Sequence, residues 1–338
     1  MGAFGLVLPI QGPGTDLHTL LAELGEEVLA AERAGFDAVF LPEFHQAHGG
    51  ALVSPLLLLA WLGARTSRIR LGTLVLSGPL HDPVRLAEDA AMLDQATGGR
   101  VILGLGVAHV EPDFKLYGVE RRHRGAILDE LLDLLDLAWA DAAFDHRGRF
   151  FQRAGHVTAP PFAGRPPVWI AAHGPRGLAR AGARGNAWVC DPQRDVTTAA
   201  RLAETYRAAA DAAGRPSEVV LFRDGWVGES REDCERRWAP HAMKVHRLYY
   251  NLGTYLPEFE PWVDEVRARE DFTLERLAPG RLLYGSPAEV RGTADAWFAQ
   301  TGASMIAVRM RQPTGPSHAE ALEAIERLGR EVIGHTRT

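Results

Sequence analysis

This sequence predicts an α/β fold, a (β/α)8 TIM barrel, on three observations. Short aliphatic or β-branched runs recur eight times along the 338 residues. Segments with helical apolar spacing fall between them, and no Pro/Gly/Ser-rich linker or low-complexity tract interrupts the alternation. Strand and helix signals alternating in this way build a parallel sheet with helices packed on it, and eight units suffice to close that sheet into a barrel. A doubly wound open sheet is the other architecture the pattern allows.

Taken in order, the expected strands are Ala3–Leu8, Ala38–Leu41, Ile69–Leu76, Val101–Gly104, Val168–Ala171, Ala187–Cys190, Val219–Val227 and Met305–Arg309. The helix after the first strand, Asp16–Ala34, shows the grammar of the others. Asp16 is placed to cap it, Leu17, Leu20, Leu21 and Leu24 make an apolar stripe, and Gly35 stops it. The same reading gives helices over Pro55–Arg65, Pro83–Gln95, His123–Asp141, Arg176–Ala183, Val196–Ala213 and Pro287–Gln300. Residues 241–285 break the rhythm with many aromatics and charges, and they read as an insertion between the seventh and eighth strands that shapes the pocket. The whole of 1–338 is read as one barrel domain carrying that insertion.

Composition narrows the function. At 46% hydrophobic and 24% charged residues the chain is an ordinary globular protein. The net charge of −6 offers no electrostatic basis for a nucleic-acid or anionic-membrane partner. The N-terminus enters a strand with no charged region before it, and the longest apolar run, Pro55–Gly63, is too short to span a bilayer. Cys190 and Cys234 are too few for a disulfide framework. A cytoplasmic location is the expectation.

Several chemistries lose their motifs. The run Leu103–His109 opens like a dinucleotide fingerprint, but its third glycine position is His109. No phosphate-binding G-x-x-x-x-G-K-[ST], nucleophile elbow G-x-S-x-G or zincin H-E-x-x-H is present. Glu43, His45, His48, His81 and Asp82 fall just past the second and third strands, where a barrel gathers its active-site residues at one mouth. Such a set can bind a metal, but the spacing His45-x-x-His48 in a loop does not specify one, and catalytic or structural histidines are the favoured reading, with no metal. After the fifth strand, Ala171-Ala172-His173-Gly174-Pro175-Arg176-Gly177 is a small-residue turn leading into a helix. Its free N–H groups, with the Arg176 fork, suit a phosphate; an ordinary Gly-Pro helix start is the alternative.

With these residues in view, the chain resembles the luciferase-like flavin-dependent monooxygenases, barrels related to bacterial luciferase. The resemblance is carried by Phe4-Gly5-Leu6 with Pro9, Ala31–Asp37 leading to Glu43-Phe44-His45, and Arg68–Thr73. It continues through His81-Asp82-Pro83, Leu86–Asp89, Leu93-Asp94-Gln95, Gly98-Gly99-Arg100, Asp113–Val119 and Gly285–Val290, covering about residues 3 to 333.

The resemblance implies a monooxygenase that takes reduced FMN from a separate flavin reductase, reacts it with O2 and oxidises a small organic substrate through a C4a-peroxyflavin. It implies a homodimer, and a non-prolyl cis peptide in the bulge Thr73-Leu74-Val75, placed at Leu74–Val75, against the flavin ring. Flavin contacts are then expected from Glu43, Thr73, Leu74, Val75, Gly106, His109 and Ala171, and a phosphate cradle from His173, Gly174, Arg176 and Gly177. Two departures stand out. The arginine common in this family at position 107 is Val107, and the family's Glu-His-His, whose first histidine is catalytic in luciferases, reads Glu43-Phe44-His45 here. Proton transfer is therefore assigned to His45, with His48 and His109 as further candidates beside Glu43. Phe44, Trp226, Tyr249, Tyr250, Tyr255 and Trp262 are expected to line the pocket. Hydride transfer with the deazaflavin F420, a non-catalytic flavin-binding protein and a metal-dependent barrel hydrolase are the alternatives.

Overall fold

Each of the eight expected strand runs forms a strand, and together they close a ring. The computed structural model describes residues 2–9, 16–46, 53–140, 142–162 and 164–334, so residues 47–52, with His48 among them, lie outside the described residues. The ring strands are β1 (Ala3–Val7), β2 (Ala38–Leu41), β3 (Arg70–Thr73), β4 (Val101–Gly106), β5 (Val168–Ala171), β6 (Ala187–Cys190), β7 (Glu218–Val227) and β8 (Met305–Arg309). Neighbours pair in parallel around the circle, and β8 returns to β1 with Ala3 opposite Met305. The doubly wound alternative is thereby excluded.

Side-chain alternation along these short strands produces two apolar layers. One fills the barrel, with Val7, Ala38, Phe40, Ile102, Trp169, Val189, Val220 and Ala307. The larger one lies between strands and helices and includes Leu6, Val39, Leu71, Leu103, Ile170 and Leu221. Phe40 takes up much of the interior, which is why Gly5 and Gly72 flank it: a Cβ at either position would come within 2.7 Å of its ring. The first helix has the cap and stop read from sequence: Asp16 accepts from the Thr19 N–H at 3.1 Å and Gly35 turns the helix off at φ 86°. The structure adds Asp82, which accepts from the Val84 and Arg85 amides at the start of the Pro83–Thr97 helix.

The structure differs from the sequence reading in four places. The expected strand Ile69–Leu76 is interrupted after Thr73 by a bulge, with Leu76–Ser77 rejoining β4 beyond it. A hairpin of Phe144–Arg147 and Gln152–Gly155 follows the Arg124–Ala138 helix; its exposed, charged strands carry little apolar signal. A helix at His318–Leu328 closes the chain's last unit. The insertion begins with helices at Arg231–Arg237 and Ala239–Asn251, ahead of the expected residue 241, and ends in a strand, Leu282–Gly285. That strand exists because β7 is ten residues long: its first half serves the ring, and its far end, Asp224–Val227, is free to pair with Leu282–Gly285.

Candidate active site

The C-terminal ends of the ring strands bring three groups of side chains to one mouth. The first hangs on the loop after β2. Glu43, buried, accepts from the Ser77 N–H at 2.6 Å and meets His81 Nε2 at 2.9 Å. His45 Nε2 lies 3.3 Å from Glu43 Oε1, an ionic contact without the alignment of a hydrogen bond. Burial alone would raise the Glu43 carboxyl, but His45, His81 and the Ser77 amide hold it down to about 2. Glu43 in turn raises the His45 imidazole against the opposing effect of burial, and Asp113 adds to it. The loop is tied from the β4 side, where Asp113 accepts from the Gln46 N–H at 2.8 Å and the Tyr117 hydroxyl stands 3.2 Å from His45 Nδ1. Five residues expected past the second and third strands thus include three, Glu43, His45 and His81, that the fold brings into contact.

The second group surrounds the β3 bulge. The Leu74–Val75 peptide is cis, at the position the family resemblance gave. The Thr73 hydroxyl is buried and committed to the Gly104 backbone, donating to its carbonyl at 2.8 Å and accepting from its amide at 2.9 Å; it secures the bulge and is not a free donor. Gly104 has to be glycine, since a Cβ there would sit 2.0 Å from the Thr73 carbonyl oxygen. A Cβ on Gly106 would meet Val75 at 2.8 Å and Ala171 at 4.0 Å, so Val75, Gly106 and Ala171 form one continuous low surface. The next loop turns on Ala108, whose φ of 57° is in the left-handed region that non-glycine residues avoid. It presents His109, which keeps an accessible edge, while the surrounding mouth desolvates it and the Arg121 charge adds to that effect, together lowering its pKa.

The third group starts where that surface ends. The helix Pro175–Arg184 opens at Gly174 with no side-chain cap, and nothing lies within 4 Å of where a Gly174 Cβ would be. Gly177 lets the turn fold back onto Ala172, 2.7 Å from its would-be Cβ. Arg176 is exposed and makes no ion pair among the described residues. His173 Nδ1 stands 3.6 Å from Asp191, whose carboxyl burial would raise but His173 and Arg194 hold at about 2. An open, uncapped helix start with an unspent guanidinium fits a phosphate, and the Val75–Gly106–Ala171 surface fits a flat ring beside it. Among the described residues no group of three or more His, Cys, Asp or Glu is placed to hold a metal ion.

Sequence reasoning missed a buried network that fastens the insertion over this mouth. Asp224, from β7, takes both arms of Arg309 from β8 at 2.6 and 3.0 Å, the Gln312 amide at 2.7 Å and His246 Nε2 at 2.8 Å. His246 Nδ1 meets the Tyr255 hydroxyl at 2.5 Å, and Arg309 donates to the Tyr249 hydroxyl at 3.1 Å. Burial would raise Asp224, but Arg309 first and then His246 hold it well below the carboxylate range. Nearby, Arg194 after β6 donates to Glu260 and to the Thr254 carbonyl, both at 2.5 Å. Of the aromatics expected to line the pocket, Phe44, Tyr249, Tyr250 and Trp262 keep partial exposure, whereas Trp226 and Tyr255 are buried. A cavity of about 630 Å³ with Arg70, Trp169, Glu218 and Met305 in its lining opens at the opposite, N-terminal end of the ring, away from these groups. No helix among the described residues is long and apolar enough to cross a membrane.

Comparison with known proteins agrees with this geometry. The chain is 33% identical over 210 residues to the uncharacterized protein y4vJ of Sinorhizobium fredii, a match that spans 59% of this chain and only 58% of that protein. It is 28% identical to the oxygenase component of the flavin-dependent trigonelline monooxygenase of Acinetobacter baylyi, covering 78% and 76% of the two chains. It is 26% identical to the F420-dependent glucose-6-phosphate dehydrogenase of Kineococcus radiotolerans, over 82% and 85%. The oxygenating constituent of 3,6-diketocamphane monooxygenase from Pseudomonas putida, a type II Baeyer-Villiger monooxygenase solved with FMN, superposes with a TM-score of 0.84 at 19% identity over 98% of each chain. The luciferase-like monooxygenase family model matches residues 3–305. This match over most of the chain, with which the closed parallel barrel agrees, makes the protein a member of the luciferase-like monooxygenase family.

Proposed function

We propose that this protein is a flavin-dependent monooxygenase that receives reduced FMN from a separate reductase and uses O2 to oxidise a small organic molecule. The observation that carries the reading is the continuous surface from Val75 through Gly106 and Ala171 to the open helix start at Gly174, with Arg176 beside it and free of ion pairs among the described residues. On this reading His173, Gly174, Arg176 and Gly177 hold the phosphate, and Leu74, Val75 and Gly106 support the ring. Bound reduced flavin supplies the electrons that activate oxygen. The chain's own residues then hold and move the proton: Glu43 stays ionised and keeps a positive charge favourable at His45, while His109 offers a second imidazole across the mouth. The insertion, fastened through His246, Tyr255 and Glu260, keeps water from the mouth with Tyr249 and Tyr250 at its partly exposed edge. A cytoplasmic homodimer completes the reading.

The glucose-6-phosphate dehydrogenase relative supports a second reading, hydride transfer with F420, on the same surface. Titrating the protein with FMN and with F420, each followed by its absorbance, separates the two. Micromolar binding of FMN, with product mass gained from a substrate panel only when reduced FMN and O2 are both supplied, is the expected result. Binding of F420 alone, or product formed without O2, overturns the monooxygenase reading.

A further inference from the structure

We infer that the proton moved in the reaction enters and leaves through the Tyr117 hydroxyl, with His45 as the relay behind it and Glu43 as the anchor. The inference rests on the oxidoreductase reading above. It starts from exposure: the His45 side chain is 5% exposed, whereas Tyr117 is 46% exposed. The imidazole Nδ1 meets the Tyr117 hydroxyl at 3.2 Å, Nε2 faces Glu43 across an unaligned contact of 3.3 Å, and the tyrosine ring packs against the histidine with centroids 4.7 Å apart. A buried imidazole flanked by a carboxylate on one side and a hydroxyl on the other does not reach a substrate, but it can pass a proton along. Phe44, its neighbour in the chain, has no group to transfer one.

Two loops fix the distance between Tyr117 and His45. Tyr117 directly follows the helix Glu111–Leu116, and Asp113 of that helix accepts from the Gln46 amide on the loop that carries His45. Behind Tyr117, Gly118 at φ 67° and the Val119 N–H bonded to the Phe114 carbonyl at 2.9 Å close the helix end. The hydroxyl is therefore held from its own side and from the histidine side.

The proton balance is simple. At a pH above the raised imidazole value, neutral His45 carries its proton on Nε2, facing Glu43, and accepts from the Tyr117 hydroxyl at Nδ1. When a reacting group gives its proton to the Tyr117 oxygen, the tyrosine's own proton passes to Nδ1. The donor's bond to hydrogen and the tyrosine's old O–H bond break as a new O–H and an Nδ1–H bond form, no electron changes hands, and the imidazolium that results faces ionised Glu43. The reverse sequence returns the proton. The titratable groups facing His45 are Glu43 and Asp113, both of which favour the imidazolium, and Tyr117; His81 bears on it through its contact with Glu43.

The test uses Tyr117→Phe and His45→Asn, alone and together, in the full chain. In apo protein at alkaline pH, where the imidazole is neutral, 15N NMR of the histidines is expected to show His45 as the Nε2–H tautomer, with an Nδ1 resonance that moves in Tyr117→Phe. In protein loaded with reduced FMN and mixed with O2, the return of oxidised-flavin absorbance is expected to slow at least tenfold in Tyr117→Phe. Its solvent deuterium effect and pH dependence should be lost, FMN affinity should stay within about twofold, and the double variant should be no slower than the slower single one. An Nδ1–H tautomer in wild-type protein, an unchanged rate and pH profile, or losses that multiply in the double variant would each overturn the relay. Wild-type protein that binds neither FMN nor F420 would defeat the oxidoreductase reading instead, and the relay would then be judged on the apo-protein resonances.

Discussion

Glu43 ties part of the acid stability to one side chain. Its folded carboxyl is held at about 2 against an ordinary value of 4.5, so its contribution is present above pH 4.5 and is lost as pH falls from there through 2. His45 is shifted the other way: its contribution is complete below its ordinary 6.5 and fades as pH rises through the higher folded value. The pair is therefore most stabilising between pH 4.5 and 6.5. Glu43→Gln should cost about 2–3 kcal/mol near pH 6 in denaturant unfolding, and the gap to wild type should shrink toward pH 3; a gap that does not narrow would mean the carboxylate is not held by its histidines. Arg176 tests the other side of the mouth. Losing a charged hydrogen bond costs ~1.5–3 kcal/mol, so Arg176→Ala should weaken FMN roughly ten- to hundredfold and riboflavin hardly at all. Equal weakening of both in a fluorescence titration would show that the guanidinium does not read the phosphate.

Among the elements, the β3 bulge depends most on a single atom. With the Gly104 Cβ position 2.0 Å from the Thr73 carbonyl, the obstacle is backbone and cannot rotate aside. Gly104→Ala should destabilise by about 3 kcal/mol, read as a fall in the denaturant midpoint; a midpoint within error of wild type would mean the bulge can move. Strands of this kind were legible in the sequence because each ring strand is buried on both sides and so reads as an apolar run. Helix limits were legible where Asp16 and Gly35 mark them. The Leu282–Gly285 strand was not, since its partner is an unused length of β7 that no local pattern announces. The candidate site divides along the same line. Glu43, His81, His173 and Arg176 sit just past strand signals and could be found by position. Asp224 and Arg309 are 85 residues apart and meet only because β7 and β8 are neighbours in the ring, and Tyr117 gains its significance only from contact with His45.

For the molecule as a whole, surface chemistry points to a second copy of the chain. The helix Pro55–Gly63 is apolar nearly all round, and Leu57 is 75% exposed, with Val53, Trp61 and Met92 also open to solvent on this helix, its lead-in and the neighbouring Pro83–Thr97 helix. Light scattering at micromolar concentration should give about twice the 36.9 kDa of one chain, and Leu57→Asp should shift it toward the single-chain mass; wild-type protein found only at that mass would remove the dimer. Ring closure has a different consequence, for synthesis. β1 pairs with β2 on one side and with β8 on the other, so of the eight ring strands the one made first must wait for the one made last. At ~5–20 residues per second, the roughly 300 residues between them take about 15–60 s to make. Through that interval one edge of β1 stays without its native partner, until Met305–Arg309 emerges to close the ring.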